Sequence, residues 1–231
     1  MKKRLFFVAL LLVAVNVLSA QDCKNYYYLL NNAEVEMTIY DAQGAAVAKN
    51  IYNVLSVNKD GAGMVSDFTA TFKDTKGKVL SSGKGKFKCT GSNVMMDMQM
   101  SMPNIPQLQN MKMESEGNAF LNYPTSLKEG QTLPDGSFEM KGNANGMDMG
   151  LQYKVTDRKV TAKEKVTTAA GSWDCYKITY NMSLSMKMMG MNIPMDLAAA
   201  EWFAPGFGVV KTETFKDDKP MGHMEITRLK K

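Results

Sequence analysis

Histidine is nearly absent: His223 is the single one in 231 residues. Neither a histidine-based catalytic triad nor a multi-histidine metal site can be assembled from one imidazole. Cysteine is scarce as well, with Cys23, Cys89 and Cys175 only. No Cys-x-x-Cys occurs, so a zinc knuckle and a thioredoxin-type centre are both unsupported, and an odd count leaves one thiol over if a disulfide forms. Gly83-Lys-Gly85 lacks the longer Gly-x4-Gly-Lys spacing of a phosphate loop. No Lys/Arg cluster interleaved with aromatics is present, which excludes a nucleic-acid reading. Carboxylates are scattered. Asp97 and Asp148 each sit between methionines in a strand pattern and are expected to face solvent. These absences predict a protein that is not an enzyme and needs no cofactor.

Long apolar runs are missing too, except at the start. Lys2, Lys3 and Arg4 precede an unbroken apolar run from Leu5 to Val15, and Ser19-Ala20 supplies small residues before Gln21. That order is a secretory signal peptide. The run falls short of the roughly 20 apolar residues that span a bilayer, and Gln21-Asp22 before Cys23 is not a lipoprotein context. The reading is therefore a signal peptide over 1–20 and a single β-rich domain over 21–231. The expected location is the periplasm, as a soluble exported protein, with outer-membrane association left open. No transmembrane segment is expected after cleavage. The signal holds three of the 28 basic residues, so the mature part carries 25 against 23 acidic ones, nearly neutral.

What the chain does contain is alternation. Glu34–Tyr40, Ala46–Val57, Gly63–Phe72, Val79–Cys89 and Val94–Met102 are short extended runs separated by Gly, Asn and Asp. Further runs cover Ser137–Lys141, Met147–Thr156, Lys159–Thr167, Trp173–Met188, Asp196–Phe203, Val209–Phe215 and His223–Leu229. Period-two alternation with such punctuation predicts antiparallel sheet. The fold class is mainly β: a single curved antiparallel sheet or open half-barrel of about a dozen strands with at most one or two short helices. One helix is placed over Gln107–Glu116, and Tyr123–Pro134 reads as a surface loop. If the first four strands form a simple meander, the entry to the first and the end of the fourth lie together. Cys23 and Cys89 can then meet, leaving Cys175 buried and unpaired.

Methionine is abundant, with 21 in the chain. Alternate residues of a strand share a face. Met96, Met98, Met100 and Met102 therefore oppose Asp97, Gln99 and Ser101, while Met182, Leu184, Met186 and Met188 oppose Asn181, Ser183, Ser185 and Lys187. Three readings compete. Flexible thioethers fill an irregular core; the two faces line a cavity for an apolar ligand such as a lipid; or sulfurs from neighbouring strands hold a soft ion such as Cu(I). The ligand-facing candidates are Met96, Met98, Met100, Met102, Met182, Met186 and Met188. Tyr26, Tyr27 and Tyr28 read as a packed or membrane-proximal segment, and Trp173 and Trp202 as core.

Several segments, in order, carry a resemblance: Asp22-Cys23, the turn Asp41–Gly44, Lys86–Met98, Leu127–Pro134, Ala170–Ile178 and Glu201–Lys211. Together the chain resembles the TapB-like exported proteins of Bacteroidetes over nearly its whole mature length. The resemblance implies an exported β-rich fold without established catalytic residues. The family's name denotes association with a tetratricopeptide-repeat protein, which implies a periplasmic protein partner. The chain departs from the pattern at Tyr26–Ala33, where a Pro- and Gly-containing entry is expected. The expected function is non-catalytic binding of a partner protein or an apolar ligand at the envelope, with copper handling by thioethers as the alternative.

Overall fold

The computed structural model describes residue 23 and residues 26–98, 113–144, 147–188 and 191–231, without the side chains of 113–118, 142–144, 147–149 and 188. Residues 1–20, read as a signal peptide, lie outside these. Among the described residues, thirteen strands follow a 3-10 turn at Tyr27–Leu29. The first five are β1 (Glu34–Asp41), β2 (Ala46–Asp60), β3 (Gly63–Asp74), β4 (Val79–Cys89) and β5 (Asn93–Asp97). After them come β6 (Met113–Asn118), β7 (Phe120–Pro124), β8 (Gly136–Ala144) and β9 (Met147–Thr168). The last four are β10 (Gly171–Met188), β11 (Met191–Ala204), β12 (Gly208–Lys216) and β13 (Lys219–Lys230).

They form one antiparallel sheet in the order β6-β8-β9-β10-β11-β12-β13-β1-β2-β3-β4-β5-β7. The sheet's two edge strands are consecutive in the chain, separated by Ala119 alone. One extended segment thus pairs its first half with β8 and its second half with β5, and the sheet nearly closes into a barrel. Met98 N–H donates to Ala119 O (2.6 Å) at this seam. The mainly β, single-sheet reading holds, and closure goes further than a half-barrel.

Local chemistry sets the hairpins. Asp41 Oδ1 accepts from the N–H of Gln43 (3.0 Å) and Ala45 (2.9 Å). Asp74 Oδ1 repeats the arrangement with Lys76 (2.9 Å) and Lys78 (2.8 Å). Each Asp replaces the missing ladder bonds of its turn, and the glycine three residues on takes the left-handed backbone that only Gly adopts without strain: Gly44 φ 82°, Gly77 φ 85°.

Three expectations are corrected. The surface loop over Tyr123–Pro134 begins inside β7, where Tyr123 pairs with Val94, and it buries Tyr123, Leu127 and Leu133. The helix over Gln107–Glu116 fails at its C-terminal end: residues 113–116 belong to β6 and pair with β8, Glu114 opposite Lys141 and Glu116 opposite Glu139. The seam needs an extended strand there, and tertiary pairing overrides helix propensity; residues 107–112 lie outside the described ones. Likewise, Thr156 and Lys159 do not flank a turn. They belong to a single strand, β9, in which Asp157 takes φ 56° and the pairing to β10 slips. This β-bulge inserts an extra residue and reverses which face later side chains occupy.

The lower end of the barrel, where β10 begins and β11 ends, is plugged. Tyr26 and Tyr28 are buried there, with ring centroids 5.7 and 5.4 Å from Phe87, and Trp173 packs 5.2 Å from Phe207. A disulfide joins Cys23 to Cys89, Cα to Cα 5.7 Å, tying the plug to the end of β4. Cys175 is buried and unpaired.

Candidate functional site

Above the plug the barrel encloses a cavity of about 580 Å³ that opens at the upper end. Such a volume lies within the range of small-molecule sites. The walls are largely apolar, drawn from Met37 and Ile39 of β1, Phe72 of β3, Leu184 of β10, Leu197 of β11 and Val209 of β12. Inward positions recur at every second residue of each strand, so the alternation that specifies the sheet also specifies this lining. The opening is edged by Val47, Met195 and Met221, which are 45%, 47% and 52% exposed. Tyr40 and His223 stack there at 4.6 Å, so the one histidine stands on a strand beside the opening.

The methionines expected to face a ligand divide into groups. Met96 and Met182 line the cavity. Met98 is wholly buried, and a Cβ built on Gly136 would stand 2.7 Å from its sulfur, so Met98 fills the seam beside a glycine that makes room for it. Met186 packs against the core. Met100 and Met102 lie outside the described residues, as does the side chain of Met188. Asp97 is half-buried and lines the cavity rather than facing open solvent, because β5 ends at the opening; the side chain of Asp148 lies outside the described residues.

The cavity base is polar. Glu201, buried on β11, contributes to the lining beside Tyr123, Tyr153 and Tyr180. Arg158, fully buried behind it, places Nη2 3.5 Å from Glu201 Oε1 and donates through Nη1 to the carbonyls of Asn122 and Pro134, both at 2.9 Å. Its guanidinium lies over the Tyr123 ring at 4.7 Å, and that ring stacks on Phe203 at 4.6 Å. The Tyr123 hydroxyl donates to Glu201 Oε2 (3.1 Å), and the Tyr153 hydroxyl donates to the sulfur of Met182 (3.2 Å). Burial pushes the Glu201 carboxyl above its ordinary range, with Arg158 and Tyr123 acting against that rise. Burial, reinforced by the Glu201 charge, raises the Tyr123 hydroxyl well above its usual value.

None of this base is singled out by the sequence reading, although signals exist. Asp157-Arg158 looks like a turn, yet the bulge at Asp157 is what swings Arg158 inward; Asn181 Nδ2 braces it by donating to Asp157 (2.9 Å). Glu201 stands in the run Ala198-Ala-Ala-Glu-Trp-Phe-Ala204, a charge in an apolar stretch, and residues 199–204 are all buried. Trp202 is buried on the opposite face from Glu201, its indole N–H donating to Glu164 beneath the ammonium groups of Lys177 and Lys211.

The geometry defines a class: an up-and-down β-barrel with one plugged end, one open end and an apolar interior over a buried ionic base. The chain belongs to the DUF3108-like family, whose sequence profile matches residues 32–226. Two solved structures share the fold. An exported protein with YmcC-like fold from Bacteroides fragilis is 24% identical, with TM-score 0.72 over 89% of this chain and 99% of that one. A lipoprotein from Parabacteroides distasonis is 21% identical, with TM-score 0.73 over 91% of this chain and 100% of that one. No curated protein matches the chain. Among the described residues no helix is long and apolar enough to cross a membrane.

Proposed function

We propose that this chain is an exported envelope protein that acts without catalysis, holding an apolar ligand such as a lipid inside the barrel. The observation that carries the reading is the cavity of about 580 Å³ with its mainly apolar wall. A small barrel is ordinarily filled by its own side chains, and a larger one encloses ligand space. The half-exposed Val47, Met195 and Met221 at the opening give an apolar ligand an apolar entry. The fold relatives described as exported or as a lipoprotein agree with a place in the envelope.

The protein-partner reading implied by the TapB-like resemblance rests on that family's name, and copper binding rests on methionine content. The Met182 sulfur already accepts the Tyr153 hydroxyl, which favours a packed, ligand-facing thioether over a metal ligand. Native mass spectrometry of protein purified from envelope extracts, before and after organic extraction, tests the proposal. An extractable apolar adduct is expected, and Thr212→Trp, which fills the cavity from β12, should abolish it. Protein that carries no such adduct and takes up no apolar probe would overturn the reading. Tight stoichiometric Cu(I), lost on Met→Leu substitution, would replace it with the alternative.

A further inference from the structure

Among the described residues, two buried acceptors on side chains that line the cavity have no donor. Glu201 Oε1 accepts no hydrogen bond, although its side chain is 4% exposed. Of the nearby donors, Tyr123 is committed to Oε2, Arg158 Nη1 to two carbonyls and Tyr153 to Met182, whereas Arg158 Nη2 has no other partner among the described residues. Arg158 Nη2, at 3.5 Å, supplies charge to Oε1 but no hydrogen bond. Across the barrel on β2, Asn50 Nδ2 donates to the Tyr52 hydroxyl (2.7 Å), and Asn50 Oδ1 accepts from none of the described residues. Both residues contribute to the lining of the same cavity. Buried acceptors are normally satisfied, and an exception inside a cavity asks for a donor brought by whatever fills it.

The charge of the site narrows the kind of donor. Arg158 cannot lose its proton and stands against one carboxylate, so the pair is neutral as a unit. A ligand ammonium would add an uncompensated positive charge beside Arg158, and a ligand carboxylate would oppose Glu201; both are costly away from water. A hydroxyl donates without adding charge.

We propose that the barrel takes an amphipathic molecule with a neutral, hydroxyl-bearing head. It enters head first and donates to Glu201 Oε1 and Asn50 Oδ1, and its apolar tail runs past Leu197 and Ile39 to Met195 and Met221 at the opening. The inference rests on the cavity reading above and specifies the head group.

The test uses the extracted mature chain loaded with a fluorescent apolar probe. A matched series of one chain length competes for the site: monoacylglycerol, fatty alcohol, fatty amine, fatty acid and the fatty acid's methyl ester. The expected result is that the two hydroxyl compounds displace the probe about ten- to a hundredfold more tightly than the methyl ester, as a hydrogen bond to a charged acceptor implies. The acid and amine should be weaker than the alcohol. In the double variant Arg158→Met/Glu201→Met the alcohol-to-ester ratio should fall towards one, with folding checked by thermal unfolding. Probe binding with no preference for hydroxyl, or a preference for amine or acid, overturns the head-group inference while leaving the cavity reading intact. Failure of the probe to bind at all overturns both. If the double variant does not fold, the series on the unmodified chain decides alone.

Discussion

At the lower end of the barrel, Tyr26, Tyr28, Phe87 and Phe207 bury their rings against one another, and a disulfide holds the segment in place. At the upper end, Val47, Met195 and Met221 stand half exposed around an opening, and β11 continues to Met191 beyond its pairing with β12, which begins at Ala198. The same strands build both ends, so the difference is one of side chains and cross-links. Rigid aromatics and a covalent tie resist opening at the bottom. Flexible thioethers at the top can yield to a ligand without breaking any ladder hydrogen bond. The proposed ligand-holding role needs both, and the buried ionic base lies just above the rigid end, where its geometry is best held.

The largest expected effect comes from disturbing that base. Glu201→Leu leaves the Arg158 guanidinium buried without its counter-charge, and removing one partner of a buried pair costs about 3–5 kcal/mol. Arg158→Met should cost less, because Glu201 can take up a proton whereas arginine cannot lose one. The sign follows from burial, which already raises the Glu201 carboxyl. A raised folded-state value gives stability that is fully present below the ordinary carboxyl range and is lost as pH rises through the folded-state value. Without Arg158 the rise is larger, so Arg158→Met should lose more stability at neutral pH than in mild acid. Urea unfolding of both variants at two pH values checks this. Equal losses at both would refute the assigned role of Arg158.

The plug is next. Cys23 and Cys89 lie 66 residues apart in sequence, and closing such a loop is worth about 4 kcal/mol in the chain-entropy model. Replacing both by alanine should lower the unfolding midpoint accordingly and loosen the Tyr26–Leu29 segment, read as hydrogen exchange concentrated there. A drop in stability with no local loosening would mean that the plug holds itself by packing alone.

How much of this was legible in the sequence divides along the same axis. Most strands were, because period-two alternation and the Asp-x-x-Gly turns at Asp41 and Asp74 are local, but β6 and β7 were not, and β9 read as two. The pairing of Cys23 with Cys89 followed from assuming a meander, which β1 to β4 do form. The ionic base was not legible. Arg158 faces inward only because the Asp157 bulge reverses the face of β9, and a bulge dipeptide looks like a turn until its partner strand is known. Closure was equally hidden: Gly117-Asn118-Ala119 carries no sign that the chain changes partners there from β8 to β5.

The methionines give a smaller effect. If Met96, Met98, Met182 and Met186 serve as packing and wall, replacing them pairwise by leucine should cost less than about 1.5 kcal/mol, since the swap conserves volume. Met98 should be the most sensitive of the four, being the one fitted against Gly136 at the seam. Leucine cannot ligate a metal, so Cu(I) competition titrations on parent and variants separate the thioether reading from the packing one. The expected outcome is no tight copper in either.

The smallest effect on stability, and the sharpest test of the contrast between the ends, is at the rim. Val47, Met195 and Met221 bury little, so Val47→Ser, Met195→Ser and Met221→Ser should each change stability by no more than about 0.5 kcal/mol. Their effect should fall on entry. An apolar ligand leaving a vesicle must cross to the cavity without full exposure to water, and each rim side chain made polar removes apolar surface that would cover it on the way. The triple variant should therefore load more slowly from lipid vesicles than the parent while reaching the same final occupancy, because the interior walls are untouched. Stopped-flow loading with a fluorescent fatty alcohol, beside equilibrium titration, separates rate from capacity. Unchanged loading kinetics would show that the exposed methionines have no part in entry, and the open end would then differ from the plugged end only in lacking a cap.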